Sequence, residues 1–163
     1  MKVLALSGTP GTGKSTLAKI LAKELGYFRL DLHAHYQEIA EHYDSKKKCY
    51  DIDQKKFLAL VQRTIKERAK YPGIIIDTHI SHLLPRKLVT LCLILTCSNL
   101  KELQRRLKQR KYSAAKIREN LDAEIFQVCL LEAKDDKQRI LVVDTAKKIN
   151  YKQLVQKIHN LLK

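Results

Sequence analysis

The nine residues from Gly8 to Thr16 constrain the fold of this chain more than any other stretch. They match the phosphate-binding pattern G-x-x-x-x-G-K-[ST] in full. An apolar run, Val3 to Leu6, precedes them, and apolar residues recur at helical spacing after them until Gly26. A strand, a glycine-rich turn and a helix N-terminus direct backbone N–H groups and a partial positive charge at one phosphate group. The sequence therefore predicts a P-loop, in which Lys14 reaches the β- and γ-phosphates and the Ser15 hydroxyl binds Mg²⁺.

Strand and helix patterns alternate along the rest of the chain. We expect strands over residues 2–7, 27–32, 74–77, 91–95 and 140–144, and helices over 13–25, 33–43, 54–70, 99–111, 113–133 and from 150 onward. The helix caps are Asp53, Asn99, Ser113 and Asn150, and Lys46 to Lys48 form a solvated turn. This alternation predicts an α/β fold, a five-stranded parallel sheet with helices on both faces, in one domain over residues 1–163. Ligands of such sheets bind beyond the carboxyl ends of the strands.

Asp77 ends the apolar run Ile74 to Ile76, so we expect it beside the P-loop as the second anchor of Mg²⁺. A helix cap or turn is the alternative role for this carboxylate. His79, two residues further, is a catalytic candidate that orients a water molecule or supports Asp77, with packing as its alternative. For His82 we favour packing.

Arg106 and Arg110 lie at i and i+4 on one predicted helix. This spacing lets both guanidinium groups point at one ligand, so they are candidate catalytic residues that stabilise a transferring phosphoryl group. The alternative is a solvated basic face, because several lysines and Arg105 lie in the same segment.

The net charge of +15 indicates attraction to polyanions such as nucleotides, RNA and ribosomal surfaces. A lysine-rich surface with no such partner explains the charge equally well, and the chain has no RNA-binding signature. Its longest apolar run, Leu88 to Leu95, is too short to span a membrane, and its N-terminus does not resemble a signal peptide. We therefore expect no membrane partner and a cytoplasmic protein, or a nuclear one in a eukaryote.

The four cysteines are scattered along the chain and form no C-x-x-C pair. We expect reduced thiols, with Cys92 and Cys129 packed in the core, rather than a metal site or disulfides.

Four segments in this order resemble the adenylate kinase family, and within it the isoenzyme-6 branch. They are the P-loop, the Asp-x-His of Asp77 to His79, the R-x-x-x-R-x-Y of Arg106 to Tyr112 and the E-I-F-Q-V of Glu124 to Val128. The similarity extends over nearly the whole chain, and the lack of extensions suggests an archaeal-type form. Members of this branch are small adenylate kinase-like ATPases linked to maturation of the small ribosomal subunit.

The resemblance implies a P-loop core, an AMP-binding insertion over residues 31–54 and a short lid over residues 109–119 that holds no zinc. It implies that Arg110 contacts the phosphates of ATP from the lid and that Lys147, or its neighbour Lys148, contacts the adenine base. The residues that it implies as ATP-phosphate ligands in the P-loop are Gly11, Thr12, Gly13, Lys14, Ser15 and Thr16.

One position departs from the family pattern. Adenylate kinases usually have an arginine in the first helix of the AMP insertion, where it clamps the AMP phosphate. The best counterpart here is His35, which cannot make a bidentate clamp. Arg29 and Arg63 are the candidates to replace it. The sequence therefore predicts ATP binding more firmly than AMP binding.

Three functions remain open at this point. The first is a Mg²⁺-dependent adenylate kinase that converts ATP and AMP into ADP and, because its lid is short, also hydrolyses ATP. The second is an ATP-driven switch that binds and releases a small-subunit ribosomal protein or ribosomal RNA, with His79 positioning the attacking water. The third is a small-molecule kinase whose acceptor is held by Asp31, His33 and His35; the E-I-F-Q-V segment argues against it.

Overall fold

A computed structural model describes residues 1–45 and 49–163, and the side chain of Cys49 lies outside this description, as does the predicted turn at Lys46 to Lys48. In chain order the elements are β1 (Lys2–Gly8), α1 (Lys14–Leu25), β2 (Phe28–Asp31), α2 (Tyr36–Ile39), β3 (Ala40–Asp44), β4 (Cys49–Ile52), α3 (Gln54–Glu67), β5 (Gly73–Asp77), β6 (Leu91–Thr96), α4 (Leu100–Gln109), α5 (Ala114–Ile125), α6 (Val128–Asp135), β7 (Ile140–Asp144) and α7 (Tyr151–Leu162). Short 3-10 turns cover Leu32–His35 and Ser81–Leu83.

The central sheet has five parallel strands in the order β2-β5-β1-β6-β7. This confirms the predicted α/β fold, and the first strand of the sequence lies at the centre of the sheet. Parallel strands buried on both faces need continuous apolar runs, which explains the composition of β1, β5 and β6. Because all five strands run in one direction, their carboxyl ends form a single edge.

Successive side chains of each strand alternate between two core layers. Val3 and Ala5 of β1 pack with α3 and α6 on one face, among buried residues such as Phe57 and Leu130. Leu4 and Leu6 point the other way and pack with α1 and α7. Helices therefore cover both faces, as the sequence pattern predicts.

Four helix caps that the sequence predicts are confirmed. The side chains of Asp53, Asn99, Ser113 and Asn150 each accept hydrogen bonds from backbone N–H groups in the first turn of α3, α4, α5 and α7. Each cap satisfies a donor that the start of a helix leaves without an intrahelical partner. Caps fix where α4 and α5 begin, and residues 110–113 connect these two helices.

The prediction of one helix over residues 33–43 is wrong. The segment contains a 3-10 turn and the single helical turn α2, and it then enters the antiparallel hairpin β3–β4. Tyr43 lies directly opposite Tyr50 in this hairpin, with ring centroids 4.9 Å apart. Such a cross-strand aromatic pair stabilises a hairpin, whereas the polar residues of β3 offer no apolar stripe to a helix.

The prediction of one helix over residues 113–133 is also wrong. The chain bends between α5 and α6, where Gln127 adopts a left-handed conformation with φ 51°. The bend turns α6 so that Leu130 and Ala133 join the core, while Phe126 stays exposed.

Cys92, Cys97 and Cys129 are free thiols. Cys92 is fully buried in the sheet, and Cys129 is half-buried against the same core layer. Within residues 1–45 and 49–163, no helix is long and apolar enough to cross a membrane.

Candidate active site

The P-loop follows β1 at the carboxyl edge of the sheet. Gly8 has φ +138°, and a Cβ atom built on it would lie 2.2 Å from the carbonyl oxygen of Leu95 on the neighbouring strand. Only glycine permits this approach. The Thr12 hydroxyl donates a hydrogen bond of 2.8 Å to the carbonyl oxygen of Thr9 and fixes the curl of the loop. The loop therefore has the tight shape that phosphate binding requires.

Lys14 folds back over this loop. Its Nζ donates hydrogen bonds to the carbonyl oxygens of Gly8 at 2.6 Å and Thr9 at 3.0 Å. Burial lowers the pKa of Lys14 to about 8, and the positive charge of Arg110 acts in the same direction, while the carboxylate of Asp77 opposes it. Lys14 is thus close enough to both residues for their charges to affect its protonation.

Asp77 ends β5, the strand beside β1, and its side chain is 1% exposed. Its Oδ2 accepts two hydrogen bonds from Arg29, from Nε at 2.9 Å and from Nη2 at 2.5 Å. Nη2 of Arg29 also donates to Asp31 Oδ2 at 2.7 Å. Sequence reasoning named Arg29 only as a substitute AMP ligand and missed this pairing. A charged residue in the middle of the short strand β2 was the available signal, because buried charges need partners.

The residues at this edge fit a magnesium ion. Mg²⁺ prefers oxygen ligands and usually takes one or two from the protein, with water and phosphate oxygens completing its shell. The hydroxyl of Ser15, in the first turn of α1, and the carboxylate of Asp77 supply that donor set. No cluster of three or more His, Cys, Asp or Glu residues suited to a metal ion occurs in the described ranges. Two protein oxygens of this kind suit a metal whose other ligands are water and phosphate oxygens.

His79 lies in the loop after β5. Its backbone carbonyl accepts a hydrogen bond of 2.6 Å from the Ser7 hydroxyl, which ties this loop to β1. Its side chain keeps contact with solvent, but the surrounding protein displaces much of its water. That desolvation, with the nearby positive charge of Lys14, lowers the pKa of His79 to about 4. The imidazole is therefore neutral at pH 7 and has a nitrogen free to accept a proton.

His82 is buried and joins three elements. Its Nδ1 lies 2.6 Å from Ser7 Oγ on β1, and its Nε2 lies 2.7 Å from Glu132 Oε2 on α6. Since the Ser7 hydroxyl has no solvent contact, no substrate can reach it. The arrangement holds the core together, in line with the packing role that the sequence favours for His82.

A cleft of roughly 680 Å³ opens beside the P-loop. Its lining includes Gly13 and Thr16 of the P-loop, Arg110 at the end of α4, and Lys147 and Lys148 after β7. Part of the predicted phosphate-binding set therefore shares one space with the predicted adenine ligand Lys147, whereas Lys14 and Ser15 do not line it. The cleft is positively charged and wide enough for a nucleotide.

Arg106 lines this cleft too, but its guanidinium group is engaged by the protein. It donates to Glu102 Oε1 at 2.9 Å, to the Thr145 carbonyl oxygen at 3.0 Å and to Thr145 Oγ1 at 3.2 Å. These bonds link α4 to the loop that carries Lys147. The geometry gives Arg106 a positioning role. Arg110, at the C-cap of α4, lines the cleft, and its side chain makes no hydrogen bond or ion pair with any residue in the described ranges.

The E-I-F-Q-V segment forms the bend between α5 and α6. Glu124 is buried, and its Oε1 accepts a hydrogen bond of 2.6 Å from the backbone N–H of Cys97, just beyond β6. Gln127 and Cys129 line a small cavity together with Gly8 and Thr9, at the start of the P-loop. Phe126 is 67% exposed, beside the exposed side chains of Ile125, Val128 and Leu131. One short segment therefore joins the P-loop to an apolar surface, which the sequence did not predict.

The acceptor side of the site is bounded by the predicted insertion. Tyr36 of α2 lies near Asp31 and Asp77; burial, reinforced by Asp31, raises its pKa to about 12, so it keeps its proton. His35 Nδ1 lies 3.2 Å from Glu38 Oε2, and Arg63 is paired with Glu38 and, more loosely, with Glu67 on the exposed face of α3. The boundaries of the insertion and of the lid stay predictions.

Relatives of the chain share most of its length. A family profile described as an AAA domain matches residues 4–127. A putative adenylate kinase of Pyrococcus abyssi is 33% identical over 163 residues, which cover 99% of this chain and 84% of the relative. An adenylate kinase isoenzyme 6 homolog of Schizosaccharomyces pombe is 35% identical over 148 residues, which cover 86% of this chain and 79% of the relative.

Solved structures of P-loop kinases share the fold. A deoxyadenosine kinase from M. mycoides superposes with a TM-score of 0.57 at 19% identity and covers 98% of both chains. A shikimate kinase from Acinetobacter baumannii superposes with a TM-score of 0.60 at 14% identity and covers 99% of this chain and 93% of its own. At such low identity these likenesses concern architecture alone.

Proposed function

The chain belongs to the family of the putative adenylate kinases of Pyrococcus and the adenylate kinase isoenzyme 6 homologues, and from this premise we propose that it transfers the γ-phosphoryl group of ATP to AMP. It is a kinase-like phosphotransferase by family and fold. The observation that carries the specific reaction is the convergence of Lys14, Asp77 and Arg110 at one edge of the sheet. The charges of Asp77 and Arg110 both act on the pKa of Lys14.

Lys14 and Arg110 supply the positive charge for the transfer. Lys14 exchanges its two bonds to loop carbonyls for bonds to the β- and γ-phosphates, while Arg110 approaches from the end of α4. Charge builds on the equatorial oxygens of the phosphoryl group as it moves, so fixed cations lower the barrier. Ser15 and Asp77 would hold Mg²⁺, which offsets phosphate charge when bound. The acceptor phosphate oxygen forms the new bond, and ADP leaves with the electron pair of the old one.

The turn between α4 and α5 lies where the predicted lid begins. It consists of Arg110, Lys111 and Tyr112, and Ser113 caps the next helix. A lid this short excludes less water than a long one, so we propose hydrolysis of ATP as a side reaction. In this side reaction the neutral imidazole of His79 would orient the attacking water.

The experiment that tests the proposal is ADP production from Mg-ATP with and without AMP, using the Lys14→Ala protein as the blank. Consumption of AMP with formation of two ADP for each AMP supports the kinase. Release of ADP and inorganic phosphate at a rate independent of AMP overturns it and supports an ATPase instead.

A second function is favoured by the apolar surface beside the P-loop. Exposed clusters of large apolar side chains mark protein interfaces more often than free surface. The surface formed by Ile125, Phe126, Val128 and Leu131, which we call the bend patch, connects to the nucleotide site through Gln127 and Cys129. We propose that ATP binding and hydrolysis control attachment of a small-subunit ribosomal protein at this patch. The test is nucleotide-dependent binding of such a protein to the wild-type chain and its loss in a patch variant.

A further inference from the structure

Arg29 occupies the oxygen of Asp77 that a cation would need. Both Nε and Nη2 of Arg29 donate to Asp77 Oδ2, and the carboxylate is buried, so little solvent screens the pair. While this pairing lasts, Arg29 offsets much of the negative charge that Asp77 brings to the edge of the sheet. A guanidinium group and a divalent cation therefore compete for one carboxylate.

Arg29 also has capacity for an anion. Its guanidinium group has a third nitrogen, Nη1, which makes no hydrogen bond to any residue in the described ranges, and the side chain is 18% exposed. The side chain thus reaches solvent at the carboxyl end of β2, the strand next to the one that carries Asp77. A planar fork with free donors in a partly desolvated setting suits a phosphate group.

The other basic candidates for the acceptor phosphate are already engaged elsewhere. Arg63 is 53% exposed and ion-paired with Glu38, and His35 contacts the same Glu38. Arg63 lies on α3 and His35 precedes α2, and neither makes an ion pair with Asp77 within the described residues. Among these three candidates, only Arg29 joins the acceptor side of the edge to the carboxylate at its centre.

We propose that Arg29 binds the phosphate of the acceptor nucleoside monophosphate and, in doing so, releases Asp77 to the metal. The proposal rests on the kinase function above and names how its two substrates communicate. The acceptor's phosphate carries two negative charges, so it competes with Asp77 and Asp31 for the guanidinium group. The acceptor and the metal-bound ATP then bind cooperatively. In the free enzyme, Arg29 offsets the charge of Asp77, which weakens metal binding there.

The coupling between the acceptor and the cation is reciprocal. If AMP raises the affinity for the divalent cation by some factor, the cation raises the affinity for AMP by the same factor. We expect this factor to be roughly tenfold, the typical size of such coupling. Arg29→Gln removes the competitor and the phosphate ligand together, so it should abolish the coupling.

The experiment measures binding on the full chain. Free Mn²⁺ is followed by electron paramagnetic resonance in the presence of a non-hydrolysable ATP analogue, with and without AMP, and AMP binding is followed by calorimetry. In wild type, AMP should tighten Mn²⁺ binding. In Arg29→Gln, Mn²⁺ should bind more tightly than in wild type without AMP, AMP should have no effect on it, and AMP affinity should fall roughly 10- to 100-fold. Arg63→Gln is the matched control and should behave as wild type.

Arg29→Lys is a second variant that tests the proposal even if Arg29→Gln does not fold. It retains a cation beside buried Asp77 but loses the planar guanidinium group. It should remain folded by thermal melting and show reduced AMP affinity. Unchanged AMP affinity and unchanged Mn²⁺ binding in both folded variants would overturn the inference while leaving the kinase function intact. A wild-type protein that binds ATP but not AMP would instead overturn the acceptor assignment, and the Mn²⁺ data without AMP would then still decide whether Arg29 competes with the metal.

Discussion

Nζ of Lys14 lies 2.6 Å from the carbonyl oxygen of Gly8. The lysine that we propose contacts the transferring phosphoryl group is therefore hydrogen-bonded to the backbone of its own P-loop. Replacing it with alanine removes both this bond and the positive charge at the phosphates. We expect Lys14→Ala to reduce ADP formation at least about 10²- to 10³-fold, the usual loss when one preorganised charge-stabilising donor is removed. The assay is coupled ADP detection, and Lys19→Ala, on the exposed face of α1, is the control. A near-normal rate in Lys14→Ala would mean that the site has been misassigned.

The pKa of Lys14 predicts how ATP affinity depends on pH. Burial lowers this pKa from its ordinary value of 10.5 to about 8, and only the protonated amine attracts phosphate. ATP affinity should therefore be constant below pH 8 and fall up to tenfold for each pH unit above it. Fluorescent ATP analogue binding between pH 6.5 and 9.5 measures this.

Two further observations check the assignment to Lys14. In Lys14→Arg the guanidinium group stays charged, so the decline above pH 8 should vanish. The unfolded chain binds more protons than the folded one between pH 8 and 10.5, so this lysine should make the folded state gain stability as pH rises through that window. A wild-type affinity that is flat to pH 9.5 contradicts the lowered pKa.

His79 should affect hydrolysis more than transfer. Its imidazole is neutral at pH 7 because its pKa is lowered to about 4, and only water, not AMP, needs orienting by a neutral base. We expect His79→Ala to lower AMP-independent phosphate release roughly 10²-fold or more while AMP-dependent ADP formation falls less. Parallel phosphate-release and ADP assays measure the ratio, with His159→Ala on α7 as control. An equal loss of both activities would show that His79 only supports Asp77.

Local signals predicted much of this molecule. The P-loop pattern and the caps Asp53, Asn99, Ser113 and Asn150 depend on neighbours within a few residues, and they fixed the starts of the helices. The apolar runs fixed the strands and, with the alternation of elements, the parallel sheet. The features that the sequence did not predict had no such local signal.

The pairing of Arg29 with Asp77 joins positions 48 residues apart, and only the sheet order brings them together. The hairpin needed the cross-strand pair of Tyr43 and Tyr50, which no helical or strand period reveals. No glycine or proline marks the bend at Gln127, so the sequence pattern predicted one continuous helix.

Gly8 should be the most sensitive glycine of the P-loop. Alanine there would bring Cβ to 2.2 Å from the Leu95 carbonyl oxygen, and that backbone oxygen belongs to β6 and cannot move freely. We expect Gly8→Ala to lower the free energy of unfolding by about 3 kcal/mol or more, since it adds a steric clash to a strained φ. Gly13→Ala is the control: its φ is also positive, at +88°, but nothing lies within 4 Å of the added atom. Urea unfolding compares the two, and equal losses would show that φ strain alone decides the cost.

The bend patch should contribute to the binding of a partner rather than to the stability of the fold. Phe126 is 67% exposed and Leu131 is 51% exposed, so Phe126→Ser and Leu131→Ser remove little buried area and should change the free energy of unfolding by less than about 0.5 kcal/mol. ADP formation should also stay at the wild-type level, because neither side chain faces the nucleotide cleft.

Binding to a small-subunit ribosomal protein should fall, since exposed aromatic side chains dominate the energy of interfaces. Calorimetry with purified ribosomal proteins, with and without an ATP analogue, measures this, and Leu100→Ser, an equally apolar exposed site on α4, is the control. If the patch variants and Leu100→Ser bind such a protein equally well, the partner attaches elsewhere and the link between the P-loop and the patch has no role in its release.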